Sequence, residues 1–176
     1  LMNILGGVVP LDKGKMLQPA GVAAWKEKVF VAVSGEHQVY VFDLEKKEVA
    51  EIRILARDSH VMSMNFSARV SVSPDKLHLV VAGFDREIAV YDAKDWKRIR
   101  SLDGAGKPLP LDGTWSKDGK AWLTAAGEPA EILRWDIETG AMKRLGKGRA
   151  PVEGPDGRLW ALTDDAKAFG PVEPKQ

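Results

Sequence analysis

His60-Val61-Met62-Ser63-Met64 places an imidazole and two thioethers at alternate positions. On an extended segment alternate side chains share a side. Imidazole with thioether is a soft donor set that suits copper. A plainer reading carries more weight: methionine fills irregular gaps, and a loop histidine is ordinarily solvated. The two other histidines are His37 and His78. His78 interrupts the run LHLVV and is expected to be a hydrogen-bonded strand residue. With three histidines and no cysteine, a zinc site would need carboxylates from distant parts of the chain. The expectation is therefore no metal, no cofactor and no catalytic residue.

Other motifs fall away on spacing. Gly104-Ala-Gly-Lys-Pro108 invites a phosphate-loop reading, but that loop needs glycine where Ser101 stands and a hydroxyl where Pro108 stands. Asp164-Asp165 offers paired carboxylates that no spacing singles out. There is no G-x-S-x-G, no H-E-x-x-H and no G-x-G-x-x-G.

The whole chain sets the frame for these residues. It has 176 residues, with 26 Lys and Arg against 25 Asp and Glu. That balance does not favour nucleic acid or an anionic membrane as main partner. Absence of cysteine excludes disulfides and thiolate metal sites. The apolar stretch from Leu1 to Pro10 is far below the ~20 residues that span a bilayer. It lacks the basic lead and cleavage site of a complete signal peptide. Periplasm and cytoplasm both stay open. A chain opening on Leu1 rather than Met is expected to be processed, trimmed or part of something longer.

With 17 Gly, 10 Pro and 6 Trp, the sequence is rich in turns and short strands, and it repeats. GVAAWKEKVFVAVSGEHQVYVFDLEKKEVAEIRI starts at Gly21, RVSVSPDKLHLVVAGFDREIAVYDAKDWKRIRSL at Arg69 and DGTWSKDGKAWLTAAGEPAEILRWDIETGAMKRL at Asp112; PVEGPDGRLWALTDDAKAF starts at Pro151. Two anchors set the register. Lys26, Asp75, Asp118 and Asp156 mark a first turn, and Asp43, Asp92 and Asp136 follow an aromatic at the end of a third strand. Within a unit the anchors lie 17, 17 and 18 residues apart, whereas successive first anchors lie 49, 43 and 38 apart. A near-constant inner distance with a variable outer one describes rigid units joined by variable loops.

Each unit reads as four short strands, too short and too densely punctuated for helices. Nearly continuous apolar runs such as KVFVAV suit sheets covered on both faces. Such sheets must stack on each other. The aromatics Phe42, Tyr91 and Trp135 are expected to fill the space between sheets. The aspartate after each is expected to face backbone donors. The basic run Lys97-Arg98-Ile99-Arg100 reads as a charged sheet edge.

At these residues the chain resembles the β-propeller repeat families. RWDIETG around Trp135-Asp136 looks like the third-strand end of a WD repeat. PAGVAAWKEKVFVAVSGEHQVYVFDLEKKEVAEI looks more like a YVTN repeat of the bacterial style. The Gly-His pair that opens a WD repeat is missing. The resemblance implies an all-β chain, a single propeller or propeller fragment over residues 1–176, with blades at about 19–55, 68–103, 110–146 and 150–172. Three blades are complete and the fourth is partial. Residues 1–9 are a candidate closing strand for a four-bladed ring; a fragment, or assembly with another chain, is the alternative.

The resemblance also places the turns between second and third strands on one rim. Glu36, Asp85 and Glu128 repeat an acid there, beside His37 and Arg86. With His60, Met62 and Met64 these are the candidate binding residues. Ordinary turn chemistry competes with that reading. The function implied is a non-catalytic scaffold that binds protein partners in a larger assembly. The alternative is the propeller part of a periplasmic amine- or quinone-linked dehydrogenase whose cofactor lies on another chain.

Overall fold

Runs of Val, Ile, Phe and Trp bounded by Asp, Lys and Gly turns become strands because β-branched and aromatic side chains fit a half-buried pleated surface. The computed structural model describes residues 18–34, 38–53, 69–82, 88–102, 113–163 and 165–172. Those residues form fifteen strands and no helix.

The first sheet holds β1 (Gln18–Trp25), β2 (Lys28–Ser34), β3 (Gln38–Asp43) and β4 (Glu48–Arg53). The second holds β5 (Arg69–Val72), β6 (His78–Ala82), β7 (Ile88–Asp92) and β8 (Arg98–Leu102). The third holds β9 (Gly113–Trp115), β10 (Ala121–Ala126), β11 (Glu131–Asp136) and β12 (Met142–Lys147). The fourth has three strands: β13 (Arg149–Glu153), β14 (Leu159–Leu162) and β15 (Phe169–Pro171). Strands pair antiparallel in chain order within each sheet. The described residues are therefore all-β, built into four small antiparallel sheets. The Leu1–Val9 segment expected as a closing strand lies outside the described residues.

Alternation decides how the sheets meet. In β6, Leu79 and Val81 join a cluster with Phe30, Val39 and Val41 of the first sheet. Val80 and Ala82 join a second cluster with Trp115, Trp122, Leu133 and Trp135 of the third. The same division holds in β7, where Ala89 and Tyr91 go one way and Ile88 and Val90 the other. The second sheet is thus covered on both faces. Fully burying one such aliphatic or aromatic side chain is worth about 1.5–3 kcal/mol.

Polar contacts add direction. Trp115 Nε1 of the third sheet donates to Ser71 Oγ of the second at 3.1 Å. The Arg100 guanidinium on β8 donates to the Glu138 carbonyl in the turn after β11. Lys28 lies 4.8 Å over the ring of Trp96, which meets Phe30 edge-on at 5.9 Å. The third-strand aromatics keep one sense: Tyr91 packs towards the first sheet and Trp135 towards the second, each the preceding sheet. Phe42 lies with Val31 on the face of the first sheet turned away from the second.

His78 is half-buried and stacks on Trp115 with ring centroids 6.4 Å apart. It is not the satisfied residue that the sequence leads one to expect, because its Nδ1 is buried with no hydrogen-bond partner. Its position explains this. The ring is spent on stacking between sheets, while its backbone N–H donates to Ser73 Oγ at 2.9 Å.

Candidate binding surface

The turns are the polar framework of the molecule. Between β5 and β6, Ser73 is buried. Its hydroxyl donates to Asp75 Oδ1 and accepts the N–H of His78. Asp75 Oδ1 also takes the N–H of Leu77 at 3.0 Å. Between β9 and β10, Ser116 and Asp118 repeat that arrangement with the N–H groups of Ala121 and Lys120. Lys76 and Gly119 hold positive φ in these turns.

The third-strand aspartates behave as their spacing suggests. Asp43 Oδ1 accepts the N–H groups of Glu45 and Lys46, Asp92 Oδ1 those of Lys94 and Asp95, and Asp136 Oδ1 that of Thr139. At Asp43 and Asp136 these bonds favour the ionised form. The N–H of Lys46 above all holds the Asp43 carboxyl below its ordinary value, and the N–H of Thr139 does the same for Asp136. The Ser116 hydroxyl lowers Asp118 and the Thr163 hydroxyl lowers Asp165. The Lys97 side chain lowers Asp95 and the Arg158 side chain lowers Asp156.

A pH dependence follows. Each folded pKa lies below the unfolded value of 3.8. The stabilisation is therefore complete above that value and is lost as pH falls from it towards the lowered one. The urea midpoint should hold above about pH 5 and fall below about pH 4. Asp118→Asn with Asp136→Asn should shallow the fall. An acid limb unchanged in that double variant would refute the assignment.

Sequence reasoning missed one member of the framework. Thr163 and Asp165, between β14 and β15, reproduce the Ser73 turn: Thr163 Oγ1 donates to Asp165 Oδ1 at 2.6 Å and accepts the N–H of Ala168. Ala166 supplies the positive φ. TDDAKA matches SKDGKA in its hydroxyl and aspartate, and that was the signal. Asp165 is thus a turn residue, while Asp164 lies outside the described residues. Conversely, the turn at Asp156 closes from Gly154 to Arg158, one residue tighter than Ser73–His78 or Ser116–Ala121, and Gly154 brings no hydroxyl.

Of the candidate binding residues, Glu128 is described. It is exposed in the turn between β10 and β11, before a cis bond to Pro129. Glu36, His37, His60, Met62, Met64, Asp85 and Arg86 lie outside the described residues, as does the Gly104–Pro108 segment. Among the described residues no three His, Asp or Glu side chains gather as a metal site.

The structure brings together a different surface. A cleft of about 600 Å³ opens on the fourth sheet between Val152, Trp160 and Phe169, with Glu153 and Asp156 at its rim. Val152 is paired with Trp160, and Trp160 stacks on Phe169 at 5.8 Å and 18°. The Arg158 guanidinium stands 5.7 Å from the Trp160 ring centre and pairs with Asp156. Glu153 Oε2 accepts the N–H of Lys117, whose Nζ donates to the Pro155 carbonyl at 2.8 Å. These rim groups are occupied locally, so the open part of the cleft is apolar. Ala161, on the opposite face of β14, lies near Gly148 and Ile132 of the neighbouring sheet.

No family profile matches the chain. Over 90 residues it is 28% identical to cilia- and flagella-associated protein 52 of Chlamydomonas reinhardtii, a match covering 51% of this chain and 14% of that protein. A hydrazine synthase chain of Kuenenia stuttgartiensis is similar at a TM-score of 0.60 and 20% identity, over 81% of this chain and 43% of its own length. A putative 6-phosphogluconolactonase of Bacteroides uniformis ATCC 8492 is similar at a TM-score of 0.63 and 13% identity, over 92% and 52%. Both solved neighbours have propeller-like folds. The present chain thus spans about half of each solved neighbour and a much smaller share of the algal protein.

Proposed function

We propose that this chain is a β-propeller module that acts as a non-catalytic scaffold, its blades being the four sheets. Blade limits near 19–55, 68–103, 110–146 and 150–172 within one unit over 1–176 belong to this reading, with YVTN- or WD-like repeats. The supporting observation is the stacking: the second sheet is covered on both faces, and successive sheets keep one sense. Rigid scaffolds with variable loops are where recognition residues gather. The contact residues proposed are therefore the loop positions Glu36, His37, His60, Met62, Met64, Asp85, Arg86 and Glu128, meeting a protein partner. Affinity purification of the full gene product should recover a partner in stoichiometric amount, and Ala substitutions at Glu36, His60 and Glu128 should lower its recovery. Recovery of no stoichiometric chain would count against the scaffold.

A second reading has one observation in its favour, the likeness to a chain of a hydrazine synthase. In that reading the module belongs to a redox enzyme whose cofactor sits elsewhere. A visible absorption band in the purified assembly would favour it over the scaffold.

A further inference from the structure

We infer that the outer edge of the third sheet, strand β12, receives an acidic, extended segment of a partner protein, and that an apolar side chain of that segment enters the cleft beside Leu145. This extends the scaffold reading above to a surface apart from the loop positions named there. It stands on the third and fourth sheets alone. Two observations carry it.

The first is positive charge that is not spent inside the molecule. From Thr139 to Val152 the chain carries Lys143, Arg144, Lys147 and Arg149 and no acid, although its overall balance is only +1. All four cations are exposed. β12 is the edge of its sheet, bonded to β11 on one side. Glu131 on β11 pairs with Arg144 at 3.0 Å and is also the register partner of Lys147, so one carboxylate serves both. Lys143 stands opposite Arg134, and like charges directly opposite weaken a sheet. The ammonium groups of Lys143 and Lys147 form no ion pair among the described residues. The corresponding edge of the second sheet differs. There Lys97 pairs with Asp95 at 2.8 Å, Arg98 donates to Ser101 and Arg100 donates to the Glu138 carbonyl.

The second is an apolar recess within that charge. Leu145 has no partner in β11, because the register shifts there. A bulge re-aims a side chain, and Leu145 lines a cleft of about 410 Å³ with Arg158, Leu159, Pro171 and Val172. Arg158 is paired with Asp156, so the rest of the lining is aliphatic. An aliphatic recess set among cations complements an aliphatic side chain flanked by carboxylates.

These features favour polypeptide over nucleic acid. The cleft has no aromatic ring on which a base could stack. The edge of β12, unpaired among the described residues, offers amide and carbonyl groups to an extended backbone. The same cations repel the identical edge of another copy.

The probe is a dye-labelled peptide with glutamates on both sides of a central leucine. It is titrated into the 176-residue chain and read by fluorescence anisotropy. Saturable binding is expected, weakening as salt is added. Lys143→Glu with Lys147→Glu should weaken it roughly tenfold or more. Lys94→Glu with Lys97→Glu makes the same change in net charge at exposed positions of the second sheet. That variant should bind within about twofold of wild type, since distant charges are screened. Changing the central leucine of the peptide to serine should weaken binding to wild type but not to Leu145→Ala. Circular dichroism should show every variant folded. Without any variant, the peptide should slow amide exchange across Met142–Lys147 and leave β8 unchanged. No saturable binding, equal loss in the two charge-reversed variants, or unchanged exchange in β12 would each overturn the proposal. An oligonucleotide of equal charge that binds as tightly would overturn it in favour of nucleic acid. A partner captured through Glu36, His60 and Glu128 while the peptide stays unbound would sink this surface and leave the scaffold. A bound peptide with no partner recovered would do the reverse.

Discussion

Replacing Trp135 by alanine should cost about 3–5 kcal/mol of unfolding free energy, the range for truncating a large buried aromatic. Trp135 is 2% exposed and shares its cluster with Val80, Ile88, Trp115 and Trp122 from two sheets. Alanine there leaves a cavity that no single sheet can collapse to fill, because its walls belong to separately hydrogen-bonded sheets. Trp135→Phe should cost much less. The indole Nε1 is buried without a hydrogen-bond partner, so phenylalanine forfeits no bond and keeps most of the apolar volume. Leu77→Ala is the control: Leu77 is 61% exposed, and its loss should stay within about 0.5 kcal/mol. Equilibrium denaturation of the three variants checks the order. A Trp135→Ala cost no larger than that of Leu77→Ala would show that the sheets do not pack as described.

Gly148→Ala should be nearly as damaging, for a different reason. Gly148 is the single residue between β12 and β13 and holds φ of +141°. Side chains avoid that backbone region, and forcing one into it costs about 1–3 kcal/mol. A Cβ there would also stand 2.9 Å from Ala161 Cβ and from the Leu162 carbonyl oxygen. Overpacking of this kind adds about 1–3 kcal/mol. The damage should concentrate at the fourth sheet. A red shift of Trp160 emission, read in variants lacking other tryptophans, should appear before global unfolding. Gly170→Ala, where a Cβ meets nothing within 4 Å, should change little. Equal effects at Gly148 and Gly170 would sink the argument.

Much of the strand pattern could be read from the residues because the signal was local. A run such as KVFVAV, entered from the Lys26-Glu27 turn, has few other folds open to it. Asp43, Asp92 and Asp136 were readable as caps because a carboxylate two or three residues before free N–H groups satisfies them wherever it occurs. The fourth sheet was harder. PDGR and SKDGK look alike, yet the first turn closes one residue sooner, and a one-residue slip in pairing exchanges the faces of a strand. No local rule fixed that register. The cleft at Val152, Trp160 and Phe169 was invisible for the same reason. It depends on which face of β14 carries Trp160, and that is set by pairing across the sheet. Glu128 was singled out by turn position alone, so it and the cleft could not have been ranked against each other from sequence.

The alternating side chains of β6 and β7 also set a timetable for solvent entry. To open, the second sheet must break with two neighbours at once, whereas among the described residues β13–β15 part from one. In a stack where each layer holds only the next, such differences add layer by layer. Amide hydrogens of Val80 and Val90 should therefore exchange near the rate of global unfolding, while those of β14 and β15 exchange through smaller openings.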